Sequence, residues 1–382
     1  MREHQVAVVG AGSSGLAVAL SLSDRGIRPL LIDRADHVGS SWKGRYDRLK
    51  LNTRRQTSHL PDRPYPKGTA TFPTRDQVVA HLDHHAHEDG LDLMLSTCVV
   101  RIDKMAGNWV LATTSGDISA QQIVVATGHE HTPRIPDWPG LSSYRGTVLH
   151  SASYRNPKPY LGKRVLVVGA GSSAMEIVYD VASGGAAQAW LAVRTAPHVL
   201  LCALPGGFPS DYITNRLYDA PLWLADAVSR VALRVGVGDL SEFGLPTPTE
   251  GVFTRGKRLG RTPVVVDREV VGAIRARLFE VVPTVESFSE DSALLIDGQR
   301  LQPDVVICAT GYRRGLEPMV GHLGVLDERG LPRSTGPVPA APGLRFVGFL
   351  SRPGLISFVA KQSAQVAKDI ADELEWALSL TP

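Results

Sequence analysis

The stretch QVAVVGAGSSGLAVALSLSDRG, residues 5–26, decides the fold. After Gln5, the four residues Val6–Val9 form a continuous apolar run, which is typical of a strand buried on both faces of a parallel sheet. A glycine-rich turn follows, and then an apolar helical segment that ends at Gly26. The segment RPLLIDR, residues 28–34, is the next strand. The chain therefore begins with a predicted strand–turn–helix–strand unit.

The turn has the spacing G-x-G-x-x-G, at Gly10, Gly12 and Gly15. The first glycine permits a tight turn, the second lets the backbone approach a pyrophosphate, and the third lets helix and strand pack closely. The helix that follows directs free N–H groups and a positive dipole end at the same place. Asp33 ends the next strand, where a carboxylate accepts a hydrogen bond from a ribose hydroxyl. We therefore predict a dinucleotide site.

The same unit returns at residues 164–194, RVLVVGAGSSAMEIVYDVASGGAAQAWLAVR. Gly169, Gly171 and Ala174 repeat the turn, with alanine in the permitted third place. Such an internal repeat of a whole unit predicts a second dinucleotide-binding domain.

Arg194 stands where the first unit has its acidic residue, and Thr195 follows it. A carboxylate there would repel a 2′-phosphate, whereas an arginine attracts it and can hold it with two parallel hydrogen bonds. We therefore expect the second site to take NADPH rather than NADH. A surface arginine at an exposed strand end is the alternative.

The composition is that of an ordinary globular protein: 382 residues, 43% hydrophobic and 21% charged, with a formal net charge of +3. This weak positive balance predicts no nucleic-acid partner. The three cysteines lie far apart without a C-x-x-C pair, so we expect neither a redox dithiol nor a zinc site. The histidines of residues 81–87 are predicted to lie on a solvated helix face, so no metal is expected.

The N-terminus runs directly into the first strand, so we expect no signal peptide and a cytoplasmic location. The most apolar later stretch, residues 220–237, contains Asp226, Arg230 and Arg234 and is a poor membrane span.

Several motifs resemble those of flavin-containing monooxygenases. YRGTVLHSASY, residues 144–154, is similar to the FxGxxxHxxx(Y/F) fingerprint of that family. GSSWKGRYDRLKLNT, residues 39–53, resembles its segment near the flavin. VVATGHEHTPRIPDWPG and VVICATGY, at 124–140 and 305–312, resemble its two ATG motifs. VGFLSRPGLIS, residues 347–357, looks most like the YUCCA-type branch, which oxidatively decarboxylates indole-3-pyruvate.

The resemblance implies an α/β fold with two Rossmann-like domains of the three-layer ββα type, the first for FAD and the second for NADPH. It implies that NADPH reduces FAD, that a C4a-hydroperoxyflavin forms with dioxygen, and that a small organic substrate is oxygenated in a dry pocket. From it we expect an FAD domain at 1–155 and 296–382. The NADPH domain is expected at 156–295, with a helical insert at about 200–255.

The resemblance also places Asn52 near the reactive edge of the flavin as the catalytic candidate, although the YUCCA-type branch typically has histidine there. Trp42 is expected beside the flavin, and the last helix, starting near Leu355, stabilises negative charge on it. His150 is expected to shape the domain junction rather than act as a base. The full set of expected cofactor-binding residues is Gly10, Gly12, Ser13, Ser14, Gly15, Asp33, Arg34, Ser41, Trp42, Asn52, Val100, Ala126, Thr127, Gly128, Gly169, Gly171, Ser172, Ser173, Ala174, Arg194, Thr195, Ala309, Thr310, Gly311 and Leu355.

Two points stay open from the sequence. The reaction is either the decarboxylation of a 2-oxo acid or the oxygenation of a soft nitrogen or sulfur nucleophile, and a flavoprotein that only oxidises NADPH is the rival. Arg216, Arg230 and Arg234 are the candidates for holding an acid substrate. The sequence does not decide between a monomer and a homodimer.

Overall fold

The computed structural model describes residues 2–105, 107–260, 263–350, 352 and 354–379. Its strands, in chain order, are β1 Arg2–Val9, β2 Leu30–Ile32, β3 Asp92–Met94, β4 Val99–Met105, β5 Asn108–Thr113, β6 Ile118–Val125, β7 Thr132–Pro133, β8 Thr147–His150, β9 Arg164–Val168, β10 Gln188–Val193, β11 Val199–Leu201, β12 Val264–Val266, β13 Glu280–Pro283, β14 Val285–Phe288, β15 Ala293–Leu295, β16 Arg300–Leu301, β17 Val305–Cys308, β18 Tyr312–Arg313 and β19 Leu344–Phe346.

The α-helices are α1 Ser13–Ser23, α2 Ser40–Lys43, α3 Arg75–Glu88, α4 Ser172–Ser183, α5 Asp211–Tyr218, α6 Leu222–Gly236, α7 Val252–Leu259, α8 Arg268–Arg275, α9 Glu317–Val320 and α10 Leu355–Ser379. None of the helices in the described part of the chain combines the length and the apolar character that crossing a membrane requires.

The first sheet has the strand order β3-β2-β1-β6-β5-β4, and β19 also pairs with β6. Strand β1 is parallel to both of its neighbours, β2 and β6. Its residues Val6–Val8 have no exposed surface, because helices α1 and α10 cover one face while β4, β5 and α9 cover the other. The continuous apolar run therefore forms the doubly covered strand that the sequence predicts.

The second sheet has the order β13-β10-β9-β17-β8, with every pair parallel. Helices α4 and α8 pack on one face, and the antiparallel strands β14, β15 and β16 pack on the other. Helix, parallel sheet and antiparallel sheet make the three-layer ββα arrangement. Both repeats thus form the same α/β unit, which confirms the predicted fold class.

The second sheet extends beyond the boundaries expected from the sequence. Strand β8, Thr147–His150, and strand β17, Val305–Cys308, both belong to it, although residues up to 155 and from 296 were assigned to the first domain. The repeated glycine motif indicates where β9 lies in the sequence. It does not indicate β17, which pairs with β9 although it lies more than 130 residues later in the chain. By sheet membership the inserted domain spans 147–308, and β7 pairs with β18 in the connection between the two domains.

The closing helix begins at Leu355, as predicted, and its inner face is buried at Val359, Ser363, Val366, Ile370 and Leu374. This face packs against α1 and so joins the C-terminal segment to the first Rossmann unit. In the motif VGFLSRPGLIS, residues 351 and 353 lie outside the described residues. Within the region expected to be a helical insert, the structure has helices α5, α6 and the start of α7.

Candidate active site

The two glycine turns are built in the same way. Gly10 has a φ of +108°, and a Cβ on it would lie 2.7 Å from the carbonyl oxygen of Ala126. Gly169 has a φ of +147°, and a Cβ on it would overlap the carbonyl oxygen of Ala309. Each first glycine is therefore required both by its backbone angle and by the close approach of an ATG motif.

Asp33 orders the first turn from the end of β2. Its Oδ2 accepts a hydrogen bond from the backbone N–H of Ala11 at 2.6 Å, and its Oδ1 accepts one from the N–H of Ala35 at 2.8 Å. The carboxylate also lines the central cavity. It is thus held in place beside the glycine turn by backbone donors, at the position that the fingerprint predicts for a ribose contact.

A cavity of about 1020 Å³ lies between the two Rossmann units. Its volume is at the upper end of the range for ligand sites. It brings together predicted residues from six segments of the sequence: Gly10, Gly12, Ser13, Ser14, Asp33, Arg34, Ser41, Trp42, Asn52, Ala126, Thr127, Gly128, Ser172, Ser173 and Leu355. Ser172 and Ser173 lie at the start of α4. The N-terminus of the helix in the second Rossmann unit therefore lies at the cavity.

The other predicted residues do not line this cavity: Gly15, Val100, Gly169, Gly171, Ala174, Arg194, Thr195, Ala309, Thr310 and Gly311. Gly15 instead packs on the carbonyl of Gly10, and Ala174 is buried beside Gly169. Val100 is half exposed, whereas the preceding Val99 lines the cavity. The pairing of β4 with β5 shifts register between Val99 and Arg101, so the two valines do not follow a regular alternation.

Thr127 supplies a direct sign that the cavity is built for a polar ligand. Its Oγ1 is buried and has no hydrogen-bond partner, whereas the equivalent Thr310 hydroxyl of the second ATG motif donates to the carbonyl of Arg134. A buried hydroxyl without a partner is costly unless a ligand or water satisfies it. Together with the glycine cradle and Asp33, this hydroxyl fits a bound dinucleotide such as FAD.

Arg194 directly follows β10 and is exposed, as is Thr195. Arg194 makes no hydrogen bond or ion pair within the described residues, so its guanidinium is free to meet an anion. The second turn therefore has the features expected for a nucleotide that carries a 2′-phosphate.

A model of the flavin-binding monooxygenase-like family matches residues 3–319. The chain belongs to this family. It is an FAD- and NADPH-dependent flavoprotein monooxygenase. Two curated relatives span nearly the whole chain. "Probable indole-3-pyruvate monooxygenase YUCCA9" of Arabidopsis thaliana is 33% identical over 96% of this chain and 88% of that protein. Indole-3-pyruvate monooxygenase YUCCA1 of Oryza sativa subsp. japonica is 34% identical over 95% of this chain and 90% of that protein.

A solved structure of the flavin-containing monooxygenase from Stenotrophomonas maltophilia has a TM-score of 0.75. It covers 98% of this chain and 100% of its own, at 22% identity, and therefore supports the fold alone.

In this monooxygenase, both ring nitrogens of His150 are engaged outside the cavity. Nδ1 accepts from the backbone N–H of Ala152 at 3.1 Å, so Nε2 carries the proton and donates to the carbonyl of Gly311 at 3.0 Å. Burial lowers the pKa of His150. A neutral histidine with both nitrogens bonded links β8 to the second ATG motif, which agrees with the expected junction role rather than a catalytic one.

A partly buried hydrogen-bonded pair, Tyr46 and Glu176, lies where α4 approaches the cavity. The hydroxyl of Tyr46, a cavity-lining residue, donates to Oε2 of Glu176 at 2.8 Å. Burial, together with the nearby Asp267, raises the pKa of Glu176 to about 7. Sequence analysis missed this pair because its members are 130 residues apart and neither belongs to a motif.

The histidines of α3 were expected to lie on a solvated helix face, but one of them, His81, is buried. His81 is only 5% exposed and stacks on Tyr65 with ring centroids 4.1 Å apart. Burial lowers the pKa of His81 to about 4. Among the described residues, no group of three or more histidine, cysteine or acidic side chains is arranged to hold a metal ion.

The far wall of the cavity comes from α5, which lies in the predicted helical insert, and from the start of α10, which lies in the motif VGFLSRPGLIS. At the N-terminal end of α5, the buried Asp211 accepts from Nε of Arg54 at 3.1 Å and from the hydroxyl of Thr57 at 2.9 Å. Arg352 completes this wall from the other side. The helical region after β11 thus forms part of the cavity of the monooxygenase.

Proposed function

We propose that this monooxygenase oxidatively decarboxylates a 2-oxo acid with an apolar side chain. The observation that carries the proposal is the identity of about one third, over nearly the whole chain, with proteins named as indole-3-pyruvate monooxygenases. The reaction balances as 2-oxo acid, dioxygen, one hydride from NADPH and one proton giving the shortened carboxylate, carbon dioxide and water.

We propose that FAD occupies the central cavity and that NADPH occupies the second turn. Gly10, Gly12 and Asp33 would hold the FAD pyrophosphate and ribose, and Arg194 with Thr195 would hold the 2′-phosphate of NADPH. The bound flavin supplies hydride acceptance and oxygen activation. The protein supplies the position of each partner and an enclosed, water-poor cavity.

We propose Asn52 as the catalytic residue. It lines the cavity on the segment after the short helix α2, and its side chain makes no hydrogen bond within the described residues. Its amide is therefore available to donate a hydrogen bond to the oxygen that is transferred. A carboxamide carries no charge, so it can orient this oxygen without delivering a proton.

Product analysis tests the proposal. The purified holoenzyme is supplied with NADPH, ¹⁸O₂ and a panel of aryl and alkyl 2-oxo acids, amines and sulfides, and the products are measured by mass spectrometry. We expect a shortened carboxylic acid that carries one ¹⁸O and forms in a 1:1 ratio with the NADPH consumed. N-oxides or sulfoxides without release of carbon dioxide would instead establish the alternative reaction. If every substrate gave hydrogen peroxide in a 1:1 ratio with the NADPH consumed, the protein would only oxidise NADPH.

A cytoplasmic location and a homodimer are also proposals. All three cysteines are free thiols, as is usual in a reducing compartment. Size-exclusion chromatography with light scattering measures the oligomeric state directly.

A further inference from the structure

A 2-oxo acid brings a carboxylate into the cavity, and a carboxylate in an enclosed site needs a cation or several donors. In the described part of the cavity wall, guanidinium groups come from Arg34, Arg45 and Arg352. The three arginines differ in the groups that already bind their guanidinium groups.

Arg34 and Arg45 are both engaged. Arg34 contacts His131 through Nη1 and the ring Nε2 at 2.9 Å and lies next to Asp33 at the first turn. Arg45 forms an ion pair with Glu130, and its Nη1 donates to the hydroxyl of Tyr312 at 2.9 Å. Arg45 is therefore already neutralised, and Arg34 is held by His131 at the first turn, where it is a predicted cofactor-binding residue.

Arg352 is fixed in orientation but poorly neutralised. Its Cζ lies 4.4 Å from the ring centroid of Tyr218 and 4.3 Å from that of Phe358. Its closest carboxylate is Asp219, at a long 3.7 Å from Nη2, and that carboxylate is 73% exposed. Its Nε is buried and has no hydrogen-bond partner. Since an unpaired buried charge is costly, this arrangement is suited to an anion that arrives from the cavity.

A second unpartnered polar group lies in the same corner. Asn215 lies directly behind Gly354, where a Cβ on residue 354 would come within 2.6 Å of Asn215 Oδ1. That Oδ1 is buried without a partner. Asn215 does not itself line the cavity, but it marks the region behind Gly354 as one with unsatisfied polar groups.

The cavity wall near this corner is apolar. Leu200, Val265 and Ile356 line the cavity together with Arg352. This combination matches a ligand with one carboxylate and an apolar body. The three arginines expected from the sequence, Arg216, Arg230 and Arg234, are exposed and do not line the cavity.

We propose that Arg352 is the carboxylate anchor of the substrate pocket. The proposal rests on the proposed function, because it assigns the acid group of a 2-oxo acid to a particular side chain. Arg352 is a substrate-binding residue in this assignment, and its charge selects acids over neutral ketones, amines and sulfides.

The test compares Arg352→Gln and Arg352→Lys with wild type as FAD-loaded enzymes, using phenylpyruvate as the substrate. We expect Arg352→Gln to raise KM about 30- to 100-fold, the effect of losing a charge-assisted bidentate contact, and to change kcat less than about threefold. Arg352→Lys keeps the charge and should recover part of the loss. Arg216→Gln is the matched control, since it removes an exposed arginine of α5, and should leave KM unchanged.

Binding of non-reacting ligands separates this anchor from the reaction itself. Phenylacetate and the neutral phenylacetone are titrated into the oxidised enzyme, and the change in flavin absorbance is recorded. The proposal requires that Arg352→Gln weakens phenylacetate at least tenfold and leaves phenylacetone and FAD content unchanged. Equal loss of both ligands, loss of FAD, or no loss at all would overturn it.

The two proposals can fail separately. If wild type makes no product from any 2-oxo acid, the proposed function fails, while the phenylacetate titration still decides whether Arg352 binds carboxylates.

Discussion

Replacing Arg194 with alanine should convert this monooxygenase from an NADPH enzyme into one that scarcely distinguishes the two nicotinamide nucleotides. Arg194 stands at the end of β10, where Asp33 stands at the end of β2 in the first repeat. It is exposed and has no partner among the described residues, so the substitution removes no internal contact.

The magnitude follows from the contacts available at this strand end. A guanidinium can make two parallel hydrogen bonds to a 2′-phosphate, and a hydrogen bond to a charged group contributes about 1.5–3 kcal/mol. Two such bonds would sum to about 3–6 kcal/mol, but the exposed site is screened by solvent, so we take a total at or just below the lower limit, about 2–3 kcal/mol. At 1.4 kcal/mol for each factor of ten, kcat/KM for NADPH should fall about 30- to 150-fold. NADH has no 2′-phosphate, so its kcat/KM should stay within about twofold, the range of a neutral surface change.

The assay is anaerobic reduction of the flavin by each nucleotide in a stopped-flow instrument, which isolates hydride delivery from oxygen chemistry. Arg230→Ala, which removes an exposed arginine of α6, is the control and should change neither nucleotide. Thr195→Ala should weaken NADPH by a smaller factor, because a neutral hydroxyl contributes less than a guanidinium. If Arg194→Ala slowed NADPH and NADH equally, or neither, Arg194 would not bind the phosphate.

Three further substitutions test other parts of the site. Glu176→Gln keeps the acceptor for the Tyr46 hydroxyl but removes the charge. Because burial raises the pKa of Glu176 from 4.5 to about 7, wild type loses stability as pH rises through this window, up to roughly 3 kcal/mol at 1.36 kcal/mol per unit. In urea unfolding the variant should therefore be more stable than wild type at pH 8 and equal to it at pH 4; a gain at both pH values would contradict the assignment. Gly169→Ala should push the turn away from Ala309 and weaken NADPH binding with FAD content retained, as measured by NADPH titration and the flavin spectrum. Asn52→Ala should raise the hydrogen peroxide released per NADPH consumed; an unchanged ratio would assign Asn52 to the fold alone.

Local patterns were sufficient to predict the turns and their flanking elements. The φ of Gly10 and Gly169, the strand–turn–helix order around them and the start of α10 depend on residues within a few positions of one another. The spacing of glycines and the helical period encode such features directly.

Features that depend on distant pairing were not predictable in the same way. Strand β17 lies after the predicted boundary at 296 but joins β9 in the second sheet, and nothing in its sequence distinguishes it from a strand of the first domain. The cavity contact at β4 comes from Val99 rather than the predicted Val100, and the register shift between Val99 and Arg101 that accompanies this is not encoded in the apolar pattern. Arg352 was missed because its surroundings come from α5 and α10, and only the folded chain brings them together.

The repeated unit also explains why one nucleotide can stay bound while the other exchanges. Both repeats place an ATG alanine carbonyl against the first glycine, but their threonines differ. Thr127 keeps an unpaired hydroxyl at the cavity, whereas Thr310 uses its hydroxyl to hold the connector at Arg134. Arg194 faces solvent, whereas Asp33 is held by backbone donors at the cavity wall. We infer that the first repeat keeps more of its polar groups for a resident FAD, while the second presents an exposed arginine to an exchanging NADPH. That is the division of labour that a resident flavin and a diffusing NADPH require.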